Sequence, residues 1–377
     1  MKKFDALIAG YTCVDLIPDF KKSESLAGIS NIFIPGKLIE IDGISFLLGG
    51  VVPNTGLAMK KFDKKVFLNG LVGDDFIGKI ATQWLSKYNL SEGIKVTGKA
   101  GTAFSIVIAP PGIDRIFLES PGCNQIFDES FINFDAVSRS RLFHFGYPPL
   151  LKQFYQNNAE KLVDLFSKVQ KMGVITSLDF SLPDPESESG RLNWPEVMQR
   201  ILPYTEIFVP SLDEVLQIMQ PGHYSELISS SDSSGIINQP IVNTIRKIGR
   251  QCIQLGVKIL LIKAGQWGSY LLTGDVSAIN DKAGTNLDKE KWNHSELWCN
   301  AYKADPVKIK NSSGAGDTSV AAFLSAILDS ENPETAVRYA ALAGRNSLYC
   351  KNTHDDLSNW QEMKNEIKLE ENELIWF

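Results

Sequence analysis

An α/β fold, with a mostly parallel central sheet covered by helices on both faces, is predicted by two features of this 377-residue chain. Short apolar runs alternate with helix-period segments, most regularly from Arg141 onwards, and such alternation calls for parallel strands joined by crossover helices. Extra strand-like runs near residues 31–48 and 103–119 break the rhythm, and they predict a small β element projecting from the main layers.

Asp5 to Ala9 is an apolar run ending at Gly10, the pattern of a buried parallel strand that hands over to a loop. Met1-Lys2-Lys3 ahead of it imitates a signal peptide, but Asp5 and Asp15 interrupt the pattern and the apolar run is too short for a leader core. Asn31 to Pro35 and Ile44 to Leu48 read as short strands around Gly36 and Gly43. Asn54 to Phe62 reads as helix, Lys65 to Asn69 as strand and Asp75 to Lys87 as helix. Ala103 to Ala109 and Arg115 to Glu119 form a hairpin pattern across Pro110-Pro111-Gly112. Strands then follow at 142–145, 174–179, 207–209 and 258–262, with helices at 152–171, 213–219, 241–255, 314–328 and 335–349. The serine-rich stretch 221–240 reads as a surface loop, and the polar stretch 274–306, with Trp292 and Trp298, as a decorated hairpin.

Composition narrows the function. The chain is 44% hydrophobic and 22% charged, ordinary for a globular protein, and its net charge of −6 argues against a nonspecific grip on nucleic acid or on an anionic membrane. No stretch is long and apolar enough to span a bilayer. Five scattered cysteines without a CxxC pair fit neither a zinc site nor a disulfide framework, and they point to a reducing cytoplasm.

The sharpest chemical signal is Asn311-Ser-Ser-Gly-Ala-Gly-Asp317, which runs straight into the helical pattern Val320 to Leu328. Small residues let the backbone turn tightly, and the amides of a helix start point along the positive end of its dipole. Such a nest suits a phosphoryl group, and a first-turn carboxylate beside it can take a proton from an attacking hydroxyl. The plainer reading is a small-residue helix start whose Asp317 only favours the dipole. A P-loop is absent, and Gly314 and Gly316 lack the third glycine of a dinucleotide fingerprint.

Residues 311–317 resemble the second signature of the ribokinase-like (PfkB) carbohydrate kinases, usually Asp-Thr-x-Gly-Ala-Gly-Asp. Gly49-Gly50 with Asn54 and Ala58 resembles the first signature, and Gly70-Leu-Val-Gly73-Asp-Asp75-Phe-Ile-Gly78 the family's Gly-x-Val-Gly-x-Asp-x-x-Gly block. Gly122-Cys-Asn124, His144-Phe-Gly146 and Lys263-Ala-Gly265-Gln-Trp-Gly268 follow in family order. The resemblance covers nearly the whole chain. It implies one three-layer α/β/α domain over residues 1–377, with a small β-sheet lid from segments of about 12–50 and 98–124. It implies ATP, Mg²⁺ and a small sugar as partners, and favours a homodimer, because such lids often pair between subunits.

Roles follow by position. The resemblance makes Asp317 the catalytic base and the amides of Gly314, Ala315 and Gly316 the anion hole. Asp15, Gly49, Gly50 and Asn54 would hold sugar hydroxyls, with Arg115 on the projecting hairpin meeting a carboxylate or phosphate. Lys263, Gly265 and Gly268 would border the nucleotide, Asn346 would lie near the adenine, and Glu214 would position Mg²⁺ through water. Plainer roles compete: a turn cap for Asp15, a helix N-cap for Asn54, a turn for Gly49-Gly50, an exposed lid charge for Arg115, a first-turn position for Glu214 and a surface position for Asn346.

Departures from the family pattern matter as well. Ser211 stands where the family has the Asn of Asn-x-x-Glu, and Phe180 to Pro183 lack the arginine of Asp-x-Asn-x-Arg, which weakens an acid-sugar substrate. Asn311 replaces an aspartate that in several relatives helps bind a monovalent cation, leaving K⁺ activation open. Two alternatives stand beside the sugar kinase: a nucleoside kinase, with Phe33, Phe46 and Phe104 as base-stacking candidates, and a non-catalytic binding or regulatory subunit.

Overall fold

The computed structural model describes residues 2–20, 34–109, 116–221, 239–370 and 372–377. Its strands, in chain order, begin with β1 (Phe4–Gly10), β2 (Cys13–Phe20), β3 (Ile41–Gly49), β4 (Val66–Gly73) and β5 (Ile94–Thr97). The middle of the chain supplies β6 (Phe104–Ile108), β7 (Ile116–Ser120), β8 (Ser140–Gly146), β9 (Ile175–Asp179) and β10 (Ile207–Phe208). The last are β11 (Ile259–Lys263), β12 (Ser269–Thr273), β13 (Glu296–Cys299) and β14 (Leu374–Trp376).

Ten of these form one sheet in the order β14-β13-β12-β11-β10-β9-β8-β1-β4-β5. From β5 to β11 every neighbour is parallel, and β12, β13 and β14 add an antiparallel edge. Helices cover both faces of a parallel sheet, so its strands are buried along their whole length: all eight residues of β4 are buried, as are all five of β9. Beside β8, Phe145 meets Phe154 edge to face with ring centroids 4.9 Å apart, within a cluster that includes Phe143 and Phe166. Burial of this kind is the main stabilising contribution, and Phe145→Ala would cost about 3–5 kcal/mol.

The remaining four strands form a second sheet, ordered β3-β2-β6-β7. The expected projecting β element is therefore present, with the 103–119 hairpin as β6 and β7 and the run Ile44–Leu48 inside β3. Its turn at Pro110-Pro111-Gly112, together with Arg115 and residues 31–33 of the expected strand, Phe33 among them, lies outside the described residues. Most of the 221–240 loop lies outside them too.

One expectation is refined. The stretch 274–306 carries helices Ser277–Ala283 and Lys289–Trp292 on the connection from β12 to its antiparallel partner β13, and this decorated hairpin lies inside the main sheet. Trp292 and Trp298 are buried, and their indole N–H groups donate to the carbonyls of Glu331 and Trp267. Burying a tryptophan requires a partner for its N–H, and those partners come from distant parts of the chain. The 152–171 helix is also interrupted, at Gln156–Ala159, where Asn157 and Asn158 take left-handed φ values of 51° and 55°. β2, β5, β12, β14 and the helix Trp360–Leu369 complete elements that local pattern alone did not mark.

Candidate active site

The carboxyl ends of β1, β8, β9 and β11 open on one side of the main sheet, where a parallel α/β layer forms its crevice. The helix Ala315–Leu328 begins there. Gly314 precedes it with φ 76°, a left-handed conformation that side chains disfavour, and so turns the chain into the helix. Asn311 accepts the Ser313 N–H at 2.9 Å, and Thr318 caps back onto the Gly314 carbonyl at 2.8 Å. The loop is thus held by its own small polar residues. First-turn amides lack an intrahelical acceptor. The Ala315 amide makes only a long 3.4 Å contact to Ser312 O.

Asp317 lies in that first turn and is only 2% exposed. Its Oδ2 accepts from Asn54 Nδ2 at 2.9 Å, and the Tyr147 hydroxyl lies 2.8 Å from both carboxylate oxygens. Thr55 Oγ1 adds a longer contact at 3.4 Å. Burial pushes the Asp317 carboxyl up to about 6, helped by the charge of Asp179, while the bonds from Asn54 and Tyr147 oppose the rise. A carboxylate of that kind is ionised near neutrality and still basic enough to accept a proton. Asn54 is held in turn by His354 Nε2 at 3.1 Å, and burial drives that imidazole down to about 4, so it stays neutral. Asn54 sits inside the helix Val51–Lys61, whose N-cap is Gly50, so the N-cap reading of Asn54 is corrected.

Lys263 ends β11 with its ammonium 2.8 Å from Asp179 Oδ1. A Cβ placed on Gly316 would lie 3.9 Å from that ammonium, so the cation stands beside the Gly-Ala-Gly turn. Burial alone would lower the Lys263 pKa, but Asp179 and Glu214 hold it above its ordinary value. Glu214 closes a capping box with Ser211: its Oε2 accepts the Ser211 N–H at 2.7 Å, and Ser211 Oγ accepts the Glu214 N–H at 3.3 Å. Serine in place of asparagine is therefore used as a helix cap. Burial pushes the Glu214 carboxyl up to about 7, with Lys263 opposing.

The second sheet faces these groups. Gly50 has φ 86°, and a Cβ there would meet the Tyr11 carbonyl at 2.6 Å. At Gly49 a Cβ would fall 2.8 Å from Asp15 Oδ2, so the glycine pair lets Asp15 and Tyr11 approach the start of the Asn54 helix. Asp75 caps the helix Phe76–Lys87 through Gly78 and also accepts from the amide and hydroxyl of Thr102. Asn124 donates to the Thr12 carbonyl at 3.0 Å. Two of the motif blocks thus anchor the roots of the second sheet.

Other expected residues lie elsewhere. Gly265 (φ 54°) and Gly268 (φ 111°) form the turn between β11 and β12. Asn346 is buried and donates to Glu366 at 2.6 Å, beside the Arg345 ion pairs with Glu366 and Glu370, so it is no surface residue. Sequence reasoning missed Tyr147, Tyr11 and His354, and did not assign Asp179 to the site. Two of these were locally visible, since Tyr147 follows the strand end at Gly146 and Asp179 closes a predicted strand.

Comparison with known proteins accords with this geometry. The pfkB family carbohydrate kinase profile matches residues 5–360. A 5-dehydro-2-deoxygluconokinase of Clostridium perfringens is 22% identical over 380 residues, covering 99% of this chain and 95% of that protein. A probable fructokinase-5 of Arabidopsis thaliana is 27% identical over 147 residues, 38% of this chain, and the chain spans only 41% of its length. The crystal structure of a putative ribokinase II from E. coli in complex with ATP and Mg²⁺ superposes with a TM-score of 0.69 at 16% identity, covering 97% of this chain and 100% of that one. The profile match runs through both signatures and the blocks between them, and on it this chain belongs to the pfkB family of carbohydrate kinases.

Proposed function

We propose that this protein transfers the γ-phosphoryl group of ATP to a hydroxyl of a small sugar, with Asp317 as general base. The observation that carries the reading is the Asp317 carboxylate, buried in the first turn of a helix and held by Asn54 and Tyr147. Asp317 removes the hydroxyl proton as that oxygen bonds to the γ-phosphorus, and the bond to the β-phosphate oxygen breaks to release ADP. The amides of Gly314, Ala315 and Gly316, the helix dipole and the Lys263 ammonium stabilise the charge on the transferring group. Asp15, Gly49, Gly50 and Asn54 shape the acceptor side, and the turn at Gly265 and Gly268 the nucleotide side. The Asn346 amide is taken up by Glu366, so its part near the adenine would be to hold the helix wall.

Mg²⁺ fits here as a companion of the nucleotide phosphates. Among the described residues no cluster of three or more His, Cys, Asp or Glu side chains could hold a metal, and Mg²⁺ commonly keeps several waters. Glu214, anchored by its capping box, would act through such a water. The ion would supply neutralisation of phosphate charge.

The second sheet, within segments of about 12–50 and 98–124 of a single 1–377 domain, is read as a lid. The face carrying Leu16, Phe46, Ile106 and Leu118 is apolar, with Ile44 and Leu118 about half exposed, which supports pairing between two copies. Phe46 and Phe104 lie in the register rows of that face, opposite to the row of Asp15, so neither is placed to stack a nucleobase. A sugar is therefore favoured over a nucleoside. No helix among the described residues is long and apolar enough to cross a membrane, and the five cysteines are buried and unpaired, which supports the cytoplasm.

The test is ADP release with ATP and Mg²⁺ across a panel of sugars and nucleosides. Sugar-dependent turnover that is lost in Asp317→Asn is expected. ADP release with none of the sugars, or preference for nucleosides, would overturn the reading.

A further inference from the structure

Cross-strand register places three polar residues side by side on the second sheet. Asp15 on β2 pairs with Ser105 on β6, and Ser105 pairs with Glu119 on β7. Directly paired residues share a face, so the three form one polar row about 10 Å long at ordinary strand spacing. The rows on either side alternate away from it and are largely apolar: Leu16, Ile106 and Leu118 follow one another in the next register. Along the row Ser105 is buried, Asp15 half-buried and Glu119 exposed, so its polar groups are most accessible at β7.

The row faces the acceptor side. Asp15 approaches Gly49, and Glu119 Oε1 accepts the Tyr11 hydroxyl at 2.5 Å. The Tyr11 ring lies 6.3 Å from that of Tyr147, whose hydroxyl bonds to Asp317. A continuous wall thus runs from the proposed base through two tyrosines to Glu119. Tyr11 is buried, whereas Glu119 is exposed, and its second oxygen has no partner among the described residues. Burial and the carboxylates of Glu119 and Asp15, with the neighbouring Cys13, hold the Tyr11 hydroxyl far above its ordinary pKa, so it remains a donor fixed on Glu119. One Glu119 oxygen is anchored and the other is open.

We propose that Glu119, positioned by Tyr11 and flanked by Ser105, is a second acceptor-binding carboxylate beside Asp15, and that the pair selects an uncharged polyhydroxylated sugar over an acid sugar. Carboxylates accept from hydroxyls but repel a substrate carboxylate, and like charges brought together in a closing, partly dry site discriminate strongly. This rests on the kinase reading and adds the substrate class.

The test measures kcat/KM of the full-length protein for D-fructose and D-ribose against D-gluconate and 5-dehydro-2-deoxygluconate. Wild-type protein is expected to favour the best neutral sugar by about 100-fold or more. Glu119→Gln should raise KM for that sugar about tenfold, leave KM for ATP within about twofold, and narrow the neutral-to-acid ratio. Tyr11→Phe, which keeps the ring and removes the O–H, should shift the same ratio in the same direction by a few-fold, and it serves if Glu119→Gln does not fold. Acid sugars used as well as neutral ones by the wild type would overturn the proposal. So would a neutral-to-acid ratio that neither variant changes. Failure to phosphorylate any sugar would instead defeat the kinase reading on which it rests.

Discussion

The two walls of the site hold their polar groups in opposite ways. Beside the main sheet, Tyr147 is bonded to Asp317 and Lys263 to Asp179, and burial shifts the proton affinities of all four. On the second sheet, Asp15 is half-buried and Glu119 exposed, in the row proposed to meet the acceptor from the other side. The contrast separates chemistry from selection. Groups that stabilise a reacting centre work best when already desolvated and oriented. Groups that choose a substrate stay hydrated until it arrives, and then discriminate by which bonds they regain.

The largest effect should come from the buried wall. Asp317→Asn is expected to lower kcat by about 10²–10⁴-fold with KM for ATP changed only a few-fold, as steady-state kinetics will show. Its stability should move the other way. The folded carboxyl titrates near 6, above its ordinary unfolded value, so the folded state binds the proton more tightly. That contribution is complete below the unfolded pKa and is lost as pH rises through about 6. Asp317→Asn should therefore be more stable than the wild type at pH 8, by about 2–3 kcal/mol in denaturant unfolding, but not at pH 3.5. Equal stability at both pH values, or wild-type turnover, would remove Asp317 from the role of buried base.

Lys263→Met tests whether the same wall needs its cation. It leaves Asp179 buried without its partner, a loss of about 3–5 kcal/mol measured by denaturant unfolding. Turnover should fall by about 10²-fold if the ammonium serves the transferring phosphoryl group. Unchanged stability would show that the pair is weaker than its 2.8 Å geometry implies.

The second sheet should respond differently. Asp15→Ala is expected to weaken sugar binding roughly 10–100-fold, from the loss of charge-assisted bonds of about 1.5–3 kcal/mol, while nucleotide binding is retained. Titration calorimetry with sugar and with a non-hydrolysable ATP analogue reads the two separately. Equal loss of both would erase the distinction between the walls.

Tyr147→Phe sharpens it. The Tyr147 hydroxyl favours the ionised form of Asp317, so removing it should raise the carboxyl further above about 6 and move the acid limb of the pH–rate profile upward. At pH 8 the base stays largely ionised, and kcat should fall by less than about tenfold. A limb that moves down would reverse the assignment.

The smallest effect concerns potassium. Asn311 carries no charge, and its side-chain oxygen already accepts the Ser313 amide. KCl at constant ionic strength is expected to change the initial rate by less than about twofold, since a carbonyl-only site lacks its formal counter-charge. A many-fold rise over sodium would show the site intact despite Asn311.

Legibility followed the range of the interaction. The helix Ala315–Leu328 was readable because Gly314, Gly316 and Asp317 lie within one turn of each other and turn chemistry is local. The strand ending at Asp179 was readable too, but its pairing with Lys263 joins residues 84 apart in sequence. Asn54 was picked out by position, whereas the His354 that orients it comes from 300 residues further on. Glu214 shows the converse: its spacing from Ser211 was visible, but the structure shows that the serine acts as its cap partner.

The sequence by itself determined the α/β class, the main strand–helix alternation, the glycine-rich helix start with Asp317 and the presence of extra strands, because each is written in spacings of a few residues. Tertiary structure alone decided which polar groups face each other. It buried Asp317 and raised its pKa, set Lys263 beside Gly316, drew β13 into the main sheet, and aligned Asp15, Ser105 and Glu119 across three strands. Proton affinity and cross-strand register depend on neighbours brought together through space, and residue order along the chain does not state those distances.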